Sequence, residues 1–264
     1  MKKIGIVLLA ILLVASCRKN STDKSINIFT IEDDKALGAQ LDSTILASPA
    51  EYNIMSRSAY PEAYAFVENM KDEILNSGEV FYKDDFDWKL TLIDNDTTLN
   101  AFCAPGGYIY VYTGLMKYLE HENELAGVMA HEIAHADRRH STDQLTKNYA
   151  LSTLLQVLVG KQQGLLTEMA ASLISLKFSR NDEAEADDYS VIYMCPTEYM
   201  ADGAAGFFEK LIENEQAGGS PEFLSTHPDP ANRVEDIKAK RNELACEGTG
   251  VYSERYQNFL NTLP

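Results

Sequence analysis

The chain has 264 residues, 45% of them hydrophobic, and a formal net charge of −17 at pH 7. That length supports one sizeable core, and no internal repeat or long Pro, Gly or Ser tract marks a linker. The acidic excess argues against nucleic acid as a partner and against electrostatic adhesion to anionic lipid. It suits a solvated surface that keeps the chain soluble.

The first segment, MKKIGIVLLAILLVASC, runs from two lysines through an apolar stretch to small residues before Cys17. This is the layout of a secretory signal, with an apolar run short for a membrane span. The ending VASC resembles a bacterial lipobox. That resemblance implies removal of residues 1–16 and lipidation of Cys17, so that acyl chains hold the protein on the membrane of a bacterial cell envelope. No aspartate follows Cys17 directly, which favours sorting to the periplasmic side of an outer membrane. The competing reading is a soluble secreted protein with Cys17 inside a discarded signal. Residues 17–30 then form a polar, flexible tether, and residues 31–264 a single domain.

EDDKALGAQLDSTILAS and PEAYAFVENMKDEILNSG read as amphipathic helices, the second stopped by Gly78. DWKLTLID alternates Trp88, Leu90 and Leu92 with polar residues and reads as a strand. TLNAFCAP and YIYVYTG are two more strands, joined as a hairpin through Pro105, Gly106 and Gly107. Helices are expected over 113–119, 122–139, 142–159, 164–178, 181–194, 201–215 and 230–244. A small sheet followed by many helices is an α+β, mostly helical layout. An oxidising envelope permits a disulfide, and Cys195 with Cys246, both near helix ends, is the favoured pair. Cys103 lies in an apolar strand, where a buried free thiol is the default.

The helix over 122–139 carries VMAHEIAHADRRH. Residues four apart share a helix face, so His131 and His135 can aim two imidazoles at one point. Leu125, Met129 and Ile133 form a second ladder roughly 200° round. The expectation is a helix anchored by that apolar face, with the histidine face free for a metal and Gly127 admitting a close neighbour. Glu132 lies about 100° from His131, poorly placed to share a metal with both histidines but able to act as a base on water. This is the division of labour that H-E-x-x-H encodes. The bland alternative is an exposed charged helix with chance histidines.

Catalytic zinc wants a third protein ligand. A metzincin continuation fails, because Arg138 stands at its glycine position and Ser141 at its last histidine position. His140 falls one residue early and, like His121, reads as a surface or second-layer histidine. There remains SRNDEAEADDYSVIYM, where Glu183 and Asp187 are four apart on the helix expected over 181–194. One carboxylate can ligate zinc while the next orients a histidine through its free ring nitrogen. An acid-rich helix start favoured by the helix dipole explains the same residues.

HEIAHADRRH, SRNDEAEAD and STHPDPANRVE, preceded by NAFCAPGGYIYVYTGLM, resemble in matching order the zinc metallopeptidases of the HtpX and BepA kind, the gluzincin group that includes the CAAX prenyl proteases. The resemblance spans roughly residues 60–245. It implies a zincin-like metallopeptidase domain with a small β-sheet ahead of the metal-binding helix. It implies one Zn2+ per chain on His131, His135 and Glu183, with Glu132 as base and Asp187 supporting a ligand. Glu183 is favoured over Glu185 because only Glu183 has an aspartate four residues on. His227 is implied near the metal, either stabilising the oxyanion or occupying the open position in a resting state. Arg233 also matches and is implied to orient this region; Arg180 matches too. The strand around Asn100, Ala101 and Phe102 is expected to pair with an extended substrate by strand addition. Such binding reads backbone, so unfolded or misassembled envelope proteins are the expected substrates of a quality-control endopeptidase. The chain departs from the family in lacking further membrane spans and a tetratricopeptide array, and in placing Cys103 where a small or aliphatic residue is expected. A zinc-bearing chaperone or assembly factor, with peptidase activity latent or lost, is the alternative.

Overall fold

Local signals set the first elements. Thr30 caps α1 (Ile31–Leu46) in a reciprocal pair of hydrogen bonds with Asp33, and Pro61 opens α2 (Pro61–Leu75), where its missing N–H costs nothing. This is a computed structural model, and it describes residues 27–160, 164–165, 168–169, 172, 175–216, 223–227 and 230–264. The signal segment, Cys17 and six of the 15 positions of the helix expected at 164–178 lie outside the described residues, and residues 176–178 are not helical.

Strands β1 (Lys89–Ile93), β2 (Ala101–Ala104) and β3 (Tyr108–Tyr112) form one sheet in the order β1-β3-β2. β2 and β3 are the expected antiparallel hairpin, with Cys103 opposite Ile109. Its turn needs glycine: Gly107 has φ +88°, and a Cβ there would lie 3.0 Å from the Trp88 backbone nitrogen. β1 runs parallel to β3. Side-chain alternation sends Leu90, Leu92, Ala101, Cys103, Ile109 and Val111 into one core cluster. Phe102, Ala104, Tyr108, Tyr110 and Tyr112 enter a second cluster with Leu37 and Leu41 of α1.

The helices follow in order: α3 (Thr113–Tyr118), α4 (Glu122–Asp137), α5 (His140–Asn148), α6 (Leu151–Leu158), α7 (Arg180–Met194), α8 (Gly203–Gln216), α9 (Phe223–Thr226), α10 (Pro230–Glu243) and α11 (Ser253–Leu260). Among the described residues the fold is therefore α+β and mostly helical, with the small sheet ahead of α4. No helix among them is long and apolar enough to cross a membrane.

α4 has the expected apolar ladder in the core and its histidines on the metal-facing side, but it is enclosed all round. All 16 of its residues are buried. It packs against α2, α7, α8 and β2 at once. Gly127 permits this enclosure: a Cβ there would meet the Ala204 nitrogen at 2.1 Å, so α8 begins directly on the α4 backbone. Gly127→Ala should destabilise the protein by about 1–3 kcal/mol through overpacking, read from the urea midpoint. An unchanged midpoint would mean that the two backbones do not touch.

Other boundaries differ for local reasons. α4 stops at Asp137 because Arg139 takes a left-handed conformation, φ 65°. Arg139 is held there by Asp34 (Nε to Oδ2, 2.5 Å) and donates to the Phe29 carbonyl at 2.6 Å. The helix expected over 142–159 is two, parted where Tyr149 turns extended. Residues 27–30, placed in the flexible tether from sequence, pack on the domain instead: Phe29 is buried and Asn27 donates to Thr142 Oγ1 at 2.9 Å. Cys195 and Cys246 are disulfide-bonded, and Cys103 is a buried free thiol. α9 and α11 were not expected. α11 follows a left-handed Tyr252 and plants Tyr256 in the core, its hydroxyl donating to the Met116 carbonyl.

Candidate metal centre

α4 stacks His131 and His135 one turn apart, bringing their Nε2 atoms to 2.9 Å. Glu183 comes from the first turn of α7. Ser179 and Asp182 cap that helix reciprocally, at 3.2 and 2.9 Å, which gives Asp182 a structural task and leaves Glu183 free to face α4. Glu183 Oε1 lies 3.5 Å from His135 Nε2, and Oε2 lies 3.6 Å from His131 Nε2. His227, just after α9, brings Nδ1 to 3.3 Å from His131 Nε2 and 3.0 Å from Glu183 Oε1. One donor atom from each of the four lies within 4.8 Å of the others, and all four residues are buried.

This donor set fits a metal ion. Two imidazole nitrogens, a carboxylate oxygen and a third imidazole are the N and O ligands that zinc takes. Tetrahedral bonds of about 2.0–2.1 Å would separate such donors by roughly 3.3 Å, and the observed 2.9–3.6 Å brackets that value. Two inward-facing nitrogens 2.9 Å apart in a buried site need a proton or a cation between them.

Surrounding residues fix the donors. Asp187 Oδ1 lies 3.0 Å from His131 Nδ1. Asp187 is gripped by Arg233, Nε and Nη2 both at 2.6 Å, and Arg233 Nη1 reaches Glu183 Oε2 at 2.8 Å. Phe178 stacks on the His135 ring at 3.9 Å and Phe223 on the His227 ring at 4.2 Å. Burial pushes the Glu183 and Asp187 carboxyls up, but the cationic partners outweigh it. Glu183, beside His227, His131 and Arg233, falls well below the usual carboxylate range, and Asp187, beside Arg233 and His131, is also lowered. Burial likewise opposes charge on His131, yet Asp187 and Glu183 raise it to about 9. Burial and the His131 charge hold His135 well below its ordinary value.

Glu132 is the outlier. It is fully buried, and neither carboxylate oxygen has a hydrogen-bond partner among the described residues. Its Oε1 lies 3.6 Å from His227 Nε2. Burial raises its carboxyl above the usual range, against the pull of the His227 and His131 charges.

The structure brings together His131, His135, Glu183 and His227, with Glu132, Asp187 and Arg233 touching them. Glu185 points elsewhere, to Arg138 (2.9 Å) and His140 (3.4 Å). Asn100, Ala101 and Phe102 are not among the donors, and all three are buried. Phe102 stacks on Tyr110 at 4.5 Å inside the core, Ala101 is buried, and both amide atoms of Asn100 are buried without a partner among the described residues. β2 is an edge strand in the described sheet, with all four of its residues buried and the Cys103 carbonyl accepting from Ser141 Oγ at 3.5 Å. Sequence reasoning missed Phe178 and Phe223, which carry no motif. His140, expected at the surface or in a second layer, is buried against His135; its link through Glu185 to Arg138 was missed, because helical spacing does not carry past the end of α4.

A small sheet beside a buried H-E-x-x-H helix, completed by a glutamate from a later helix, defines a zincin-like metallopeptidase domain. Residues 65–241 match Peptidase family M48, and the chain belongs to that family. It is 35% identical over 176 residues to the mitochondrial metalloendopeptidase OMA1 of Arabidopsis thaliana, covering 62% of this chain and 36% of that protein. It is 32% identical over 167 residues to the beta-barrel assembly-enhancing protease of Escherichia coli, covering 58% and 34%. The OMA1 metalloendopeptidase of Schizosaccharomyces pombe is 33% identical over 159 residues, covering 58% and 47%. The chain thus spans about a third to a half of the length of these relatives.

Proposed function

We propose that the chain is a zinc-dependent endopeptidase, lipid-anchored through Cys17 in a bacterial envelope, that cleaves unfolded or misassembled envelope proteins. The observation that carries this reading is the convergence of His131, His135 and Glu183 beside a buried, unpartnered Glu132. These three residues would hold one Zn2+ per chain. When bound, zinc supplies Lewis acidity toward a carbonyl and makes water easier to deprotonate. Glu132 takes the proton of the water that attacks the peptide carbonyl and hands it to the leaving nitrogen. A carboxyl raised by burial suits both halves of that transfer. Asp187 and Arg233 keep His131 and Glu183 aimed.

His227 would offer a fourth donor beside these three and stands against Glu132. That geometry favours a resting cover over an oxyanion donor already in place, so substrate entry requires His227 to withdraw. An extended segment would pair with the β2 backbone, a mode indifferent to side-chain sequence. The envelope setting draws on the lipobox-like VASC and on the beta-barrel assembly-enhancing relatives. The acidic surface leaves attachment to acyl chains and gives nucleic acid no footing.

The test is metal content together with cleavage of casein or an unfolded outer-membrane protein. Stoichiometric zinc and chelator-sensitive cleavage are expected, with His227→Ala cutting several-fold faster than the unaltered chain. Cleavage indifferent to chelation would overturn the reading. A chain that suppresses aggregation but never cleaves, even as His227→Ala, would be the zinc-bearing chaperone instead.

A further inference from the structure

The two histidines of α4 are supported in different ways. His131 Nδ1 faces a carboxylate directly, Asp187 Oδ1 at 3.0 Å. His135 Nδ1 faces another imidazole, His140 Nδ1 at 2.9 Å. His140 turns its Nε2 to Glu185 Oε2 at 3.4 Å, and Glu185 Oε1 accepts from Arg138 Nε at 2.9 Å. The Arg138 guanidinium lies 4.4 Å from the centroid of the Tyr189 ring. His140 is buried.

We propose that His140 is the positioning residue for His135: it accepts the His135 Nδ1–H and so fixes the tautomer that leaves Nε2 free for the metal. This inference rests on the reading of His131, His135 and Glu183 as the metal's ligands. The proton assignment follows in one direction only. A ligating Nε2 must be bare, so a neutral His135 carries its proton on Nδ1. A nitrogen–nitrogen contact of 2.9 Å then requires a bare Nδ1 on His140. Its remaining proton sits on Nε2, which faces Glu185 Oε2 at 3.4 Å. Arg138 holds that carboxylate in place.

The backbone is bent to make this contact. Five residues along an unbroken helix would carry His140 about 140° round from His135. The left-handed Arg139, rare for a residue with a side chain, ends α4 and swings His140 back beneath His135. Arg139 is itself clamped by Asp34 and the Phe29 carbonyl, so the strained corner is braced from outside. Phe178, stacked on His135 with 23° between planes, blocks ring tilt on the other side. The imidazole spacer also has an electrostatic use. Glu132, Glu183 and Asp187 already crowd the centre, and the spacer holds the Glu185 charge one ring further away.

The test uses the full chain. Zinc affinity, read by competition with a chromogenic chelator, should fall about 10–100-fold in His140→Leu. It should stay near that of the unaltered chain in His140→Asn, because the Asn Oδ1 can occupy the acceptor place of Nδ1. Equal losses in both variants, or none in His140→Leu, overturn the proposal. Nitrogen-15 shifts of the unaltered, zinc-loaded protein supply a readout that survives if a variant fails to fold. His140 should show a protonated Nε2 and a bare Nδ1, and His135 the reverse; the opposite pattern overturns the proposal. Absence of stoichiometric zinc from the unaltered chain removes the ligand assignment, and this inference with it. Stoichiometric zinc with the wrong tautomer removes this inference alone.

Discussion

Glu132→Gln is expected to keep its zinc and lose cleavage by about 10²–10⁴-fold, the scale of a missing general base. The change is isosteric, and the carboxylate it replaces has no hydrogen-bond partner among the described residues. No hydrogen bond that holds the fold or the donors is therefore removed; what is lost is the carboxylate charge 3.6 Å from His227 Nε2. The donor atoms of His131, His135 and Glu183 are untouched, so metal content should match the unaltered chain. Stability should hold or rise, because a buried carboxylate with no partner is costly to ionise. The folded-state shift of Glu132 is upward. A group raised in this way favours folding below its unfolded value and weighs against it as pH climbs, so an advantage of the Gln variant should grow toward neutral pH. Cleavage of an unfolded protein, metal analysis and thermal melts at two pH values check all three statements. Undiminished proteolysis would move the base elsewhere. Loss of zinc would make Glu132 a ligand.

That Glu132 could be read from sequence at all is a matter of helix geometry. The spacing of His131, Glu132 and His135 carries its own meaning once a helix is assumed. Glu183 was harder. Asp182, Glu183, Glu185 and Asp187 lie within six residues, and their number alone fits a dipole-favoured helix start. The structure divides them by direction: Asp182 to the cap, Glu183 to the donors, Glu185 to Arg138 and His140, Asp187 to His131 and Arg233. Periodicity cannot make that division, because it does not say which neighbour each face meets. The same limit hid the enclosure of α4. Its apolar ladder of Leu125, Met129 and Ile133 pointed to one packed face, whereas Gly127 and the histidine side meet α8 and α7. The hairpin was legible from Pro105-Gly106-Gly107, but the parallel pairing of β1 with β3 leaves no local trace. The breaks at Arg139 and Tyr149 contain neither glycine nor proline. Tertiary contacts make the first of them, chiefly the Asp34 clamp from a helix about a hundred residues earlier.

Arg233 is where fold and centre depend most directly on one another. Arg233→Met keeps the bulk of the side chain, and with it the packing beside Phe208, whose ring centroid lies 4.0 Å from the guanidinium. What it removes is the cation that Asp187 and Glu183 share, at 2.6 and 2.8 Å. Both carboxylates are buried and held ionised. Stranding a buried charge costs about 3–5 kcal/mol, and that loss is expected in the metal-free chain by urea denaturation. Zinc should shrink it, since a divalent ion on Glu183 takes over part of the lost compensation and His131 still faces Asp187. Zinc affinity should fall in parallel by about 10–100-fold, as the support of two ligands loosens. A second change, Asp187→Asn, deletes one stranded charge, so the double variant should be less destabilised than the two single losses summed. An equal loss with and without zinc would sink the charge argument and leave Arg233 as packing. A loss under about 1 kcal/mol in both forms would place it among exposed ion pairs, which its burial forbids.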